Sequence, residues 1–259
     1  MTETPMPGPQ QRRGMYLLPN LFTTGCLFAG FYSVVAAADG NFSRASAAIF
    51  IAMLFDGLDG RVARWTRTET VFGKEYDSLA DMVAFGIAPS LVAYHWGIAR
   101  IAEFGHSWVR FGWVACFFYS VCAALRLARF NARAATADKR YFEGLPSPSA
   151  AAFVAAFVWF FNNWREPGLL GLILAFAVTA GAGMLMISSV PYPSLKQVEW
   201  DRRVKGYYMV IVPLFLAMIA IEPPTMLLAM FATFCLSAPL LWLARRLRRT
   251  MRGGVAPEP

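Results

Sequence analysis

Residues 56–81 read D-G-L-D-G-R-V-A-R-W-T-R-T-E-T-V-F-G-K-E-Y-D-S-L-A-D, which sets Asp56, Asp59, Asp77 and Asp81 between two long apolar runs. A charged side chain at membrane depth costs roughly 2.5 to 3.5 kcal/mol on insertion scales, so four close together need an offsetting partner. The compensator best matched to clustered carboxylates is a divalent cation. If the run before Asp56 continues as a helix through Trp65, then Asp56, Asp59, Gly60, Ala63 and Arg64 follow the i, i+3, i+4, i+7, i+8 stripe of one helix face. Asp77 and Asp81 stand four residues apart at the start of the next apolar run and also share a face. A polar turn over 67–74 closes the two helices into a hairpin, which brings four hard oxygen donors together.

The wider composition fits such a hairpin. The chain has 259 residues, 57% of them hydrophobic, and its mean hydropathy is +0.45, which is too apolar for an ordinary soluble domain. Eight apolar segments, at about 16–38, 44–66, 75–100, 108–133, 147–164, 168–188, 206–221 and 224–244, each approach the length a helix needs to cross ~30 Å of hydrocarbon. The runs are continuously apolar and lack the alternation of a β-barrel, so the expected fold is all-α, a polytopic membrane helix bundle. Residues 1–14 read as a disordered tail, and 249–259 as a disordered basic one.

The net charge of +8 would in a soluble protein raise the question of nucleic acid, but no aromatic-interleaved basic groove is present. Of the 24 Lys and Arg, 20 fall on one side of the alternating segments, leaving Arg44, Arg100, Arg110 and Arg165 opposite. The positive-inside rule then places both termini and the acidic end of the bundle in the cytoplasm, and the membrane is the inner or plasma membrane if the cell is bacterial. The basic blocks also fit contact with anionic membrane lipids.

Hard oxygen donors suit Mg²⁺ or Mn²⁺ rather than zinc, since neither His95 nor His106 is placed to join them. One Mg²⁺ takes one or two protein carboxylates plus phosphate oxygens, so four acids point to two metals and a bound diphosphate. Gly60 and Gly73 give a ligand room to approach backbone, and Arg64 offers a planar fork for phosphate. Structural ion pairs with Arg61, Arg64, Arg67 and Lys74 are the alternative reading of the same acids. Intramembrane acids also mark ion pathways, so a divalent cation transporter is a rival from another class.

The pattern D-x-x-D-G-x-x-A-R, eight residues, G-x-x-x-D-x-x-x-D is similar to the signature of the CDP-alcohol phosphatidyltransferase family, with every specified position filled. The resemblance implies a six-helix core over 15–200 in a homodimer, with 201–248 as two additional transmembrane helices. It also implies two divalent metals and transfer of a phosphatidyl group from a CDP-linked lipid to an alcohol. Asp56 and Asp77 would then touch both metals, Asp59 would complete one site and Asp81 the other, with Asp81 also the general base. Gly60, Arg64 and Thr70 match positions that hold the CDP group in the family. Asn20 and Thr23 either line the same pocket or bond neighbouring helices.

Further strings resemble the branch of this family that uses CDP-diacylglycerol and L-serine: L-P-N-L-F-T at 18–23, E-Y-D-S-L-A-D-M-V-A-F-G at 75–86, L-R-L-A-R-F-N at 125–131, G-L-P-S-P at 144–148 and V-P-Y-P-S-L-K at 190–196. Serine's carboxylate needs a cation, for which Arg126, Arg129 and Lys196 are candidates, although each is equally a topology charge. Its ammonium could meet Glu143. Glycerol 3-phosphate, inositol phosphate or choline are the alternative acceptors for the same chemistry.

Overall fold

All eight apolar segments are helical, and the computed structural model describes residues 17–66, 70–99, 106–133, 141–164, 168–193 and 208–252. In chain order these are α1 (Leu17–Ala38), α2 (Phe42–Thr66), α3 (Val71–Asp81), a π-helical segment (Met82–Ile87), α4 (Ala88–Trp96), α5 (His106–Arg133), α6 (Ser147–Trp164), α7 (Leu169–Ile187), α8 (Tyr208–Ile221) and α9 (Pro223–Arg252). The third segment is thus one passage made of α3, the π-helical turn and α4. α8 and α9 follow, and α9 packs against α6 and adds Cys235 and Ala238 to the buried core. The tail expected over 1–14 lies outside the described residues, and α9 continues to Arg252, past the boundary at 248 read from the sequence.

Among the described residues, four stretches, Leu18–Ala38, Gly112–Ala132, Leu169–Ile187 and Pro223–Trp242, are long and apolar enough to cross a membrane. Leu21, Phe28, Phe31, Leu54, Phe117, Leu170 and Leu240 are exposed. In water so much exposed apolar surface would be a liability, and in a membrane protein it is the lipid face. The interior is built largely from small residues, among them Ala29, Ala45, Ala52, Ala84, Ala88, Ala151 and Ala155, all buried. Small side chains let helix backbones approach closely where no hydrophobic force drives helices together. The closest approach is at Gly30, where an added Cβ would lie 2.7 Å from the Cα of Ala84.

Chain reversal between α1 and α2 needs one glycine. Gly40 adopts φ +76°, its N–H reaches Ala37 O and the N–H of Asn41 reaches Ala36 O, the two bonds of a Schellman cap. The next reversal departs from expectation, because α3 begins at Val71 rather than 75. Thr70 caps it, with its Oγ1 accepting the N–H of Gly73 at 2.9 Å, so the polar 70–74 stretch is helix entry rather than turn.

Directly after Asp81 the passage widens into its π-helical turn. In an uninterrupted α-helix the N–H of residue 89 would bond Phe85 O, but Pro89 has no N–H and its ring crowds that carbonyl. α5 supplies the missing donor, since Tyr119 OH donates to Phe85 O at 3.1 Å, and it adds a bond from Ser120 Oγ to Gly86 O at 3.0 Å. Tyr119 is fully buried, so its hydroxyl has no solvent alternative.

The sequence reading did not anticipate a short antiparallel ribbon, β1 (Tyr141–Glu143) with β2 (Pro191–Pro193), in which Phe142 faces Tyr192. It continues as Gly144 N to Val190 O at 3.0 Å and Leu145 N to Leu185 O at 2.9 Å. Gly144 is required here: φ is +81°, and a Cβ would collide with the carbonyls of Met186 and Ser188. Tyr192, fully buried, reaches α9, where its hydroxyl donates to Cys235 O at 2.9 Å.

Tyr119→Phe should leave Phe85 O without its side-chain donor and cost about 1–3 kcal/mol. Thermal unfolding of the detergent-solubilised variant should show a midpoint lowered by roughly 2 to 10 °C. An unchanged midpoint would mean that the π-helical turn does not depend on this bond.

Candidate active site

α2 and α3 both pack against α1, which brings their acids together. Asp59 is within hydrogen-bonding reach of Asp77, and Asp56 of Asp81, so each acid of one helix faces an acid of the other. One oxygen from each of Asp56, Asp59 and Asp77 lies within 4.8 Å of the others. Asp59 is the most enclosed of these three, only 5% exposed, and Thr23 Oγ1 on α1 donates to its Oδ2 at 2.9 Å. Asp81 lies one turn deeper, and its Oδ1 is buried with no hydrogen-bond partner.

A cavity of about 430 Å³ opens beside this cluster, lined by residues of α1 (Pro19, Asn20, Thr23), α2 (Asp59, Gly60, Ala63) and the start of α3 (Thr70, Gly73, Lys74, Asp77). Most of the donor-site residues read from the sequence therefore share one wall. Open space lies above Gly60, where an added Cβ would meet nothing within 4 Å, whereas a Cβ on Gly73 would lie 3.1 Å from Thr70 Oγ1. Gly60 thus leaves backbone accessible to a ligand, while Gly73 makes room for the helix cap. Arg64 is exposed, donates its Nε to Gly60 O at 2.9 Å and is not among the lining residues. α1 is fixed to α3 by a 3.0 Å contact between Thr24 Oγ1 and Tyr76 OH, which no motif signalled. Lys74, read above only as an ion-pair partner, is the cavity's basic side chain.

Arg126 of α5 feels the charge of the Asp81 carboxylate. Its Nη1 donates to Ser147 Oγ at 2.9 Å, and its Nε is buried with no partner. Ser147 is the first residue of α6 and almost fully buried. The sequence reading quoted it within G-L-P-S-P but gave it no role. That string follows β1, and its Gly144 and Leu145 donate to Val190 O and Leu185 O beside β2, so separate stretches of sequence meet here. Arg129 lies one turn beyond Arg126 and acts on it electrostatically. Glu143 is described only as ribbon backbone, and Lys196 lies outside the described residues.

The donor set can be tested against a metal ion by its chemistry. Three carboxylate oxygens within 4.8 Å, with a fourth buried and partnerless on Asp81, form an all-oxygen group that would repel itself if left uncompensated. Hard divalent cations take such ligands, and no His or Cys belongs to the set. The residues fit.

Fold and site together define a helical membrane enzyme with carboxylates grouped to hold divalent metal. The chain belongs to the CDP-alcohol phosphatidyltransferase family, whose sequence model matches residues 16–188. It is 36% identical over 231 residues to the CDP-diacylglycerol–serine O-phosphatidyltransferase of Helicobacter pylori, covering 88% of this chain and 92% of that protein. The enzyme of the same name from Mycobacterium leprae is 32% identical over 257 residues, covering 91% and 80%. The archaetidylserine synthase of Methanothermobacter thermautotrophicus is 33% identical over 178 residues, covering 68% and 69%.

Because Thr23 holds Asp59 from behind, Thr23→Val should weaken Mn²⁺ binding to the purified protein about 10-fold, the lower end of the usual effect of losing an outer hydrogen bond to a ligand. Asp59→Asn should weaken it further. Titration followed by the Mn²⁺ paramagnetic signal measures both, and equal affinity in Thr23→Val and wild type would show that the threonine serves packing alone.

Proposed function

We propose that the protein transfers the phosphatidyl group of CDP-diacylglycerol to the hydroxyl of L-serine, giving phosphatidylserine and CMP. The observation that carries this reading is a pair of buried, partnerless atoms on residues of opposite charge, Asp81 Oδ1 and Arg126 Nε, with the Asp81 charge felt at Arg126. Buried polar atoms without partners are rare and point to something that completes them. Serine has the matching groups: a hydroxyl for the carboxylate and a carboxylate for the guanidinium. The names of the relatives above support the same acceptor.

In this reading Asp56, Asp59, Asp77 and Asp81 would hold two divalent ions, Mg²⁺ or Mn²⁺. Bound there, the metals would neutralise the diphosphate and stabilise the departing cytidylate. The chain's own groups do the rest. Gly60, Thr70, Gly73, Asn20 and Thr23 shape the cavity that takes the CDP group, and Lys74 and Arg64 add positive charge at its rim. Asp81 accepts the serine hydroxyl proton as that oxygen bonds to the phosphatidyl phosphorus and the bond from phosphorus to the cytidylate oxygen breaks. Arg126, held by Ser147, binds the serine carboxylate, and the N-terminal end of α6 favours negative charge beside it. Arg129, Glu143 and Lys196 are the further acceptor candidates.

The distribution of basic residues supports an orientation with the cavity and both termini in the cytoplasm, where both the nucleotide and serine are found. The family resemblance supports a homodimer with residues 15–200 as the catalytic core.

The purified protein given CDP-diacylglycerol, Mg²⁺ or Mn²⁺ and serine should release CMP and form phosphatidylserine, and chelation should stop it. CMP release only with glycerol 3-phosphate, inositol phosphate or choline would overturn the acceptor. Asp81→Asn should lower turnover by at least about 100-fold, the usual range for loss of a general base, while CDP-diacylglycerol still binds. Arg126→Lys, which removes the Nε–H, should raise the KM for serine more than it lowers kcat.

A further inference from the structure

Pro239 lies inside α9, and in a regular helix the N–H of residue 239 would bond the carbonyl of Cys235. Proline has no N–H, so that carbonyl is open, and it is the one that the Tyr192 hydroxyl occupies at 2.9 Å. Tyr192 is fully buried, with its ring 5.7 Å from Phe234, and Cys235 Sγ lies 3.9 Å from Ser149 O on α6. A proline in a membrane helix is tolerated when a neighbouring group satisfies the freed carbonyl. Here the neighbour is not another helix but the middle residue of β2.

What β2 holds gives the contact its consequence. Phe142 of β1 pairs with Tyr192, Gly144 N bonds Val190 O and Leu145 N bonds Leu185 O, and two residues further Ser147 receives Arg126 Nη1 at 2.9 Å. The links are strand pairing, hydrogen bonds and two residues of chain, and Gly144 is pressed against the carbonyls of Met186 and Ser188 with no room for a Cβ. We infer that Tyr192 is a positioning residue for the acceptor: by tying the ribbon to the carbonyl opened by Pro239, α9 fixes Ser147 and through it the Arg126 guanidinium. This rests on the proposed binding of the serine carboxylate by Arg126. It gives a function to α9, which lies beyond the residues 16–188 matched by the family.

The test compares full-length wild type, Tyr192→Phe and the double variant Tyr192→Phe/Pro239→Ala in detergent, measuring unfolding midpoint, kcat and KM for serine and for CDP-diacylglycerol. Tyr192→Phe should lower the midpoint and raise the serine KM about three- to tenfold, the worth of one hydrogen bond, leaving kcat and the CDP-diacylglycerol KM within about twofold. In the double variant the backbone N–H regained at position 239 satisfies Cys235 O, so the midpoint should recover. The serine KM should stay raised, because the ribbon is still untethered. Recovery of both would make the contact merely structural, and a wild-type serine KM in Tyr192→Phe would overturn the inference outright. If wild type fails to use serine, the acceptor assignment falls instead, and the two failures are distinguishable.

Discussion

The mutual repulsion of four aspartates on facing helices is the constraint around which the bundle is arranged. Asp59 against Asp77 and Asp56 against Asp81 would push α2 and α3 apart in a bare protein. The surrounding helices hold them together: α1 donates Thr23 to Asp59 and fastens α3 through Thr24 and Tyr76. Such over-determined placement keeps the carboxylates at the separation a metal needs, instead of leaving the ion to gather them. Preorganised ligands of this kind cost little reorganisation when the ion and its substrate arrive.

Depth along the passage gives the acids different surroundings. Asp77 sits in the first turns of α3, where the cavity reaches it, while Asp81 is followed at once by a helical turn of altered pitch. Widening of the helix at Met82–Ile87 changes the direction in which side chains leave the backbone, and π-turns are frequent at functional sites for that reason. Its cause lies at a distance, in Pro89 and in the hydroxyls of α5. The geometry around Asp81 is therefore set jointly by two passages rather than by its own helix.

Apolar length made the helices legible in the sequence, since ~20 apolar residues leave the backbone few alternatives in lipid. The aspartate stripe was legible for the same kind of reason: fixed spacing on a rigid helix translates directly into a shared face. Less could be read where several segments cooperate. Thr70 reads from sequence as part of a turn or as a ligand contact, and its capping of α3 emerges only from the backbone of 70–74. Strands of three residues have no periodicity to detect, so G-L-P-S-P, which follows β1, and V-P-Y-P-S-L-K, which contains β2, read as separate strings although the ribbon brings them together. Ser147 lacked a signal because its importance comes from Arg126, 21 positions earlier.

The bond from Tyr119 to the carbonyl left open by Pro89 also constrains how the sequence can drift. Replacing the proline alone gives the carbonyl a second suitor and leaves a buried hydroxyl in competition for it. Replacing the tyrosine alone strands the carbonyl. Either change is a step downhill in fitness, while both together are close to neutral, so the two positions should vary as a pair across relatives. A residue of the third passage and one of the fourth, 30 positions apart, are thus tied into a single unit of inheritance by the absence of one hydrogen atom.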